Sequence, residues 1–375
     1  MTLIIKNAKV YDMVENFGGE KNILIEDGKI SAIKDVDEKI DDQGCEVIDA
    51  EDKILTPGLI EPSSSLGLRE AIYPDGNDMD EGVDPINPKL RALDGISIGD
   101  QAFEDALKTG VTTVLIGPGS KNLIGGTCAA LKTFGKDLDS RLIKDEIAYK
   151  FSLGMGPKSA FGSKGKSPVT RMGSAALIRQ ALIQAKDYKD SDKKDFDMDL
   201  EALSRVFDGM LVKFEARQVQ DIVTAVRIGE EFSLNYTVDR ADEAYLIPDF
   251  IKKHKVSLVY GPVYGGKRNN EVLKREAVGG KILADAGISF AASTNHPETS
   301  IDLTMVNALM MYRKKLDGIE LLKTLTINAA KALGLDHKIG SIEVGKDADL
   351  IIWDGDPLDL YSSPQNVIVN GKIAF

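Results

Sequence analysis

Histidine is scarce in this chain: three in 375 residues, His254, His296 and His337. A metal centre that leans on several imidazole ligands has little to draw on. Cysteine is as rare, with only Cys45 and Cys128 and no C-x-x-C spacing. That excludes a disulfide framework and a thiolate zinc site, and points to reduced thiols in a cytoplasmic protein. No run approaches the roughly 20 apolar residues of a membrane helix. The opening MTLIIKNAKV turns polar at Lys6, so it lacks the apolar stretch of a signal peptide. No G-x-G-x-x-G follows a strand pattern, and the Gly-Lys-rich stretch 162–173 lacks phosphate-loop spacing and reads as a rim loop. A formal net charge of −12 argues against a nucleic-acid or anionic-membrane partner.

What is present is organised around Ile54–Leu68, ILTPGLIEPSSSLGL. An apolar run broken by Pro57-Gly58, resumed at Leu59-Ile60 and turning polar at Glu61 reads as a buried parallel strand that delivers side chains to a rim. Ser63 and Ser65 lie two apart and face the same way in an extended chain. Before this stretch come short strands: Leu3–Ile5, Ala8–Val10, Ile23–Ile25 and Ile30–Ile33, with Asp27-Gly28 as a hairpin turn. The C-terminal end repeats the pattern in Asp349–Trp353 and Val367–Val369, followed by Asn370-Gly371. Neither end buries a core alone, so the two are expected to pack together as one composite β-sandwich, residues 1–55 plus 343–375. Between them, strand patterns at 111–116, 127–133, 148–153, 210–215, 233–238, 256–259 and 288–293 are interleaved with helical patterns at 103–109, 173–188, 219–232 and 319–333. The charged stretch 189–199 reads as a solvated loop and helix start. This alternation predicts an α/β protein with a (β/α)₈ TIM-like barrel over residues 56–342.

Three motifs carry a family resemblance: TPGLIEPSSS at the first barrel strand, Gly110-Val111-Thr112-Thr113 at the second, and LLKTLTINAAKALGLDHKIGSIEVGKDADLIIWDGDPLD near the C-terminus. Together they resemble the amidohydrolase superfamily, in particular its imidazolonepropionase-like and prolidase-like branch. The resemblance implies a barrel built for hydrolysis of C–N bonds in cyclic amides or small peptide-like substrates, with zinc or another divalent metal held at the C-terminal ends of the strands. It also implies where the ligands should stand, and there this chain departs. The His-x-His pair of the first strand is Ser63 and Ser65. The carboxylate after the fourth strand is Met155, a poor ligand for a borderline metal. The His-Ala-His of the fifth is Glu215-Ala216-Arg217, and the histidine of the sixth is Arg240. The catalytic Asp of the eighth is Asn295, followed by a retained His296.

The resemblance requires a metal-bound water and an acid–base carboxylate. Asn295 cannot accept a proton, the serine hydroxyls are weak zinc ligands, and fixed guanidinium charge repels a cation. No G-x-S-x-G elbow marks either serine as a nucleophile. The expectation is therefore a protein with no metal and no other cofactor. Its pocket would be lined by Ser63, Ser65, Met155, Glu215, Arg217, Arg240 and Asn295, with Asn295 and His296 as the candidate catalytic pair and a small-molecule, anionic ligand as partner. One arginine is expected to pair with Glu215 or Asp239 and the other to stay free for that ligand, the alternative being a closed network in which every charge is satisfied internally and no ligand binds. The alternatives are an active hydrolase of carbon–nitrogen bonds with a mononuclear or metal-free site, and a subunit that pairs with an active paralogue. A homo-oligomer stays open. His254 and His337 read as surface residues, and His296 as a structural residue before Pro297.

Overall fold

The computed structural model describes residues 2–15, 18–70, 76–192, 195–267, 269–312 and 318–375. Within the charged stretch 189–199 one helix ends at Asp190 and the next begins at Met198; residues 193 and 194 lie outside the described set. Strands β1 (Leu3–Val10), β2 (Gly19–Glu26), β3 (Lys29–Asp35), β4 (Glu46–Asp49) and β5 (Ile54–Pro57) come first. They are followed by β6 (Leu59–Ser64), β7 (Val111–Ile116), β8 (Ile124–Lys132), β9 (Leu142–Ser152), β10 (Leu211–Glu215), β11 (Tyr236–Asp239), β12 (Ser257–Tyr260) and β13 (Phe290–Ala292). The chain closes with β14 (Leu350–Trp353), β15 (Pro364–Val369) and β16 (Lys372–Ile373).

Strands from both ends join one mixed sheet in the order β16-β15-β14-β5-β1-β2-β3, with β4 beside β1. Hydrogen bonding connects these eight strands, contributed by both ends of the chain, through β1, which pairs with β2, β4 and β5. The sheet's β2–β3 and β15–β16 hairpins turn at Asp27-Gly28 and Asn370-Gly371, all four residues at positive φ as a primed turn requires. Leu3, Ile5, Ile23, Leu55, Leu350 and Ile368 form its core.

The second sheet, β6 to β13 in sequence order, is a nearly closed barrel. It departs from the (β/α)₈ expectation at β8, which runs antiparallel to both β7 and β9. The reason is the length of chain available. Only residues 117–123 separate β7 from β8, too few for the crossover of a dozen or more residues that a parallel return needs. The other barrel pairs are parallel. Gly58, just before β6, lets the first two barrel strands approach: a Cβ there would lie 2.2 Å from Thr112 Oγ1.

The barrel closes between β6 and β13 through side chains. Glu61, fully buried, accepts from Ser63 N (3.1 Å), Thr294 N (2.8 Å), Thr294 Oγ1 (2.6 Å) and Ser293 Oγ. The Ser65 amide donates to the His296 carbonyl at 2.8 Å. Helices Gln101–Lys108, Arg171–Asp190, Val219–Glu231 and Gly318–Leu325 pack outside, the second capped by Thr170, whose Oγ1 accepts from Gly173 N at 3.0 Å. No described helix is long and apolar enough to cross a membrane.

Strand alternation sorts the barrel side chains. On β10, Val212 and Phe214 join the core beneath the helices, whereas Leu211, Lys213 and Glu215 face inward. At the base the inward residues are apolar: Ile60, Leu115, Ala148 and Leu211, sealed by the Ile327–Leu333 helix. Toward the C-terminal strand ends they become polar, and that change creates the site.

Candidate active site at the barrel mouth

Register stacks the polar residues in two layers. Lys150, Lys213 and Thr237 are paired neighbours across β9, β10 and β11; Ser152, Glu215 and Asp239 form the next layer toward the mouth. Lys150 Nζ lies 2.8 Å from Glu215 Oε2, and Lys213 Nζ lies 3.1 Å from Asp239 Oδ2. All four side chains are almost wholly buried. Burial disfavours the Lys150 ammonium, but Glu215 and Asp239 outweigh it and raise its pKa. Burial likewise works against the Glu215 carboxylate, yet Lys150 and Arg217, with hydrogen bonds from Lys150 and Ser120, hold it below the ordinary range. Both stay charged at neutral pH.

Above these layers Arg240 Nη1 meets Glu215 Oε1 at 2.9 Å and Ser120 Oγ at 3.2 Å. Arg217 pairs with Asp242 (3.1 Å) and Glu298 (2.6 Å), and its Nε lies 3.7 Å from Glu215. Arg275, from the chain beyond β12, reaches Asp242 (3.2 Å) and Glu298 (2.6 Å), and Arg240 also meets Glu298. Neither Arg217 nor Arg240 is left as an uncommitted cation, a correction to the expectation that one would be: carboxylates from neighbouring strand ends reach both.

A cavity of ≈ 20 Å³, room for about one water, lies beneath this network. Ser63, Ser65, Glu215, Arg240 and Asn295 line it, together with Lys150, Lys213 and Cys128. Met155 and Arg217 do not. Met155 opens a helix, and its amide donates to Glu271. Gly154 makes that contact possible, since a Cβ there would lie 2.2 Å from Glu271 Oε1. Arg217 belongs to the outer ion-pair layer. Ser63 Oγ donates to Asn295 Oδ1 at 3.3 Å, and Ser65 Oγ to the Gly117 carbonyl at 2.8 Å.

His296 is buried with neither ring nitrogen hydrogen-bonded. Its ring lies off the cavity lining; burial lowers its pKa against the opposing pull of Asp100, Asp302 and Asp105. Asn295 and His296 are thus neighbours in sequence that serve different surroundings. His254 is partly exposed beside Glu230, and His337 is exposed. Arg240 and Asn295 both adopt left-handed backbone (φ 53° and 46°), a strain of about 1–3 kcal/mol for a residue such as arginine.

Sequence reasoning missed Lys150, Lys213, Arg275 and Glu298. The two lysines had a signal: each interrupts an apolar strand (AYKFS and LVKFE) at the inward phase, where an unpaired lysine is rarely tolerated.

A profile of the amidohydrolase family matches residues 219–374. The crystal structure of an amidohydrolase from Thermotoga maritima MSB8 is 33% identical, covers 100% of this chain and 99% of its own, and superposes with a TM-score of 0.93. Among curated proteins, amidohydrolase tasK of Hapsidospora irregularis is 27% identical over 372 residues, 88% of this chain. This chain spans only 37% of that protein's length. An imidazolonepropionase of Sphingopyxis alaskensis is 49% identical over 72 residues, 18% of each chain. The chain belongs to the amidohydrolase superfamily.

The divalent metal that this family resemblance implies does not fit the residues present. A cation at the strand ends would face two buried ammonium groups and the Arg240 guanidinium, with Ser63 where the resemblance places an imidazole, Asn295 where it places an aspartate, and the one lining carboxylate, Glu215, already paired with Lys150 and Arg240. Among the described residues no three His, Cys, Asp or Glu side chains gather to hold a metal ion.

Proposed function

We infer that the chain is a metal-free member of its superfamily, descended from hydrolases of C–N bonds in cyclic amides, whose barrel mouth binds a small anionic molecule instead of hydrolysing a substrate. One observation carries this reading. Lys150 and Lys213, neighbours in register and almost wholly buried, pair with Glu215 and Asp239, and with Arg217, Arg240 and Arg275 above them the mouth holds five cations against the four carboxylates Glu215, Asp239, Asp242 and Glu298. Fixed ammonium and guanidinium groups stabilise bound anions, but they neither activate a water nor accept its proton. Asn295, hydrogen-bonded to Ser63, cannot serve as a general base either. The test is turnover of cyclic-amide and dipeptide substrates by purified protein, with and without added zinc. The expected result is no turnover above buffer in either condition. Zinc-dependent turnover abolished by Asn295→Ala would overturn the reading in favour of an active hydrolase.

A further inference from the structure

Three arginines from three different segments converge on a single carboxylate. Glu298 Oε1 accepts from Arg217 Nη1 (3.3 Å) and Arg275 Nη2 (2.6 Å); Oε2 accepts from Arg217 Nη2 (2.6 Å) and contacts Arg240 Nη2. Arg217 therefore grips both oxygens in a forked pair, the geometry in which guanidinium recognises carboxylate best. We propose that Glu298 is an internal stand-in for a ligand: Arg217, Arg240 and Arg275 form a carboxylate-binding cradle at the barrel mouth, and a small carboxylate occupies it when Glu298 swings out. The proposal rests on the anion-binding reading above and adds the site, the ligand class and the gate.

Three observations separate Glu298 from an ordinary structural partner. The cradle is held without it. Arg275 and Arg217 are each anchored by buried Asp242, and Arg240 by buried Glu215 and Ser120. Second, the Glu298 side chain is 26% exposed, whereas those of Glu215 and Asp242 are 5% and 1% exposed. It is the one carboxylate of the group at the solvent edge. Third, Glu298 sits on a four-residue turn, its amide donating to the Asn295 carbonyl at 2.9 Å, and not on a barrel strand. Its carboxylate can move to water while the strand ends stay in place. Exchange with a monocarboxylate leaves the charge of the cluster unchanged, and the cradle satisfies two coplanar oxygens, so a carboxylate fits better than a phosphate dianion.

An internal occupant lowers the apparent affinity of an external one by the fraction of molecules in which the cradle is open. If Glu298 fills the cradle in more than about nine molecules in ten, removing it tightens carboxylate binding by at least about tenfold. Calorimetric titration of wild type, E298A and E298Q with acetate, succinate and inorganic phosphate in chloride-free buffer tests this. E298Q keeps the side-chain shape and covers the case of a poorly folded E298A. The expected result is a gain of about tenfold or more for acetate or succinate in either variant, abolished when R217Q is added. No gain in either variant, a gain for phosphate alone, or a gain that survives R217Q would overturn the cradle. A zinc-free wild type combined with no gain defeats only this proposal, whereas a zinc-loaded wild type defeats the metal-free reading on which it stands.

Discussion

Two clusters of buried charge sit at opposite ends of the barrel, and they are used differently. At the base, Lys132 at the end of β8 meets Asp347 (3.1 Å) and Asp349, which immediately precedes β14. Asp347 also meets Lys338 (3.2 Å), and Asp349 accepts from the Asn370 amide (2.9 Å). No described side-chain atom of this group is left buried without a partner. It joins barrel to terminal sheet, two bodies that must stay in register. The mouth contains more: Lys150, Lys213, Arg217, Arg240 and Arg275 against Glu215, Asp239, Asp242 and Glu298. There the Arg240 Nε is buried and unpaired, the Arg240 backbone is left-handed, and Glu298 reaches solvent. A joint has its valences filled by fixed partners. A site keeps strain and a removable partner. The same Lys–carboxylate chemistry therefore reads as structure at one end and as function at the other.

That contrast can be broken at several strengths. Deleting residues 349–375 removes β14, β15 and β16 and uncovers the apolar face of β5 and β1; the truncated chain should lose its cooperative melt in scanning calorimetry. An unchanged melt would show that the terminal sheet does not need both ends. Lys132→Met leaves two buried carboxylates short of a partner and should cost about 3–5 kcal/mol in urea denaturation, because an uncompensated buried charge is expensive. A loss under about 1 kcal/mol would mean that Lys338, with Lys29 at 4.0 Å from Asp347, suffices. His296 gives a smaller, pH-dependent effect. Its folded pKa lies below the ordinary value of 6.5, so its contribution is fully present above that pH and is lost as pH falls toward the folded pKa. The slope it adds is at most about 1.4 kcal/mol per pH unit. His296→Leu should flatten the acid limb of the stability profile below about pH 6.5; an unaltered limb would assign the acid sensitivity to other groups. Smallest is Glu298→Gln at the mouth, about 1.5 kcal/mol, the size of a tenfold preference for the filled cradle, because its carboxylate is partly solvated and the arginines keep other anions. A cost like that of Lys132→Met would make Glu298 a joint residue.

Much of this was legible in the sequence. Pro57-Gly58-Leu59-Ile60 marked the first barrel strand, and Asp27-Gly28 and Asn370-Gly371 marked hairpins, because each depends on local backbone requirements. The closing segment from Leu321 identified the family. The antiparallel β8 was hidden because the strand pattern at 127–133 carries no direction by itself; direction depends on whether the connecting segment can hold a helix. The substituted positions were found by matching motifs, and five of them, Ser63, Ser65, Glu215, Arg240 and Asn295, do line one cavity. Lys150 and Lys213 were passed over because their inward direction follows from strand register, and a slip of one residue would have turned them outward. Arg275 and Glu298 lie on loops beyond the strands, where no periodicity marks them. Met155 shows the reverse error: its place after β9 matched, but its backbone, not its side chain, is what the structure uses.

The central claim is that fixed cations from the chain itself have taken the place of metal at the barrel mouth. Elemental analysis of protein expressed in zinc-supplemented medium, without chelators, tests it most directly, with Lys150→Met and Asn295→Ala prepared alongside. The account predicts trace, non-stoichiometric metal in all three proteins and a melting temperature that chelator does not lower. Near-stoichiometric zinc in the wild type, lost in Asn295→Ala and accompanied by a chelator-sensitive melt, would contradict it.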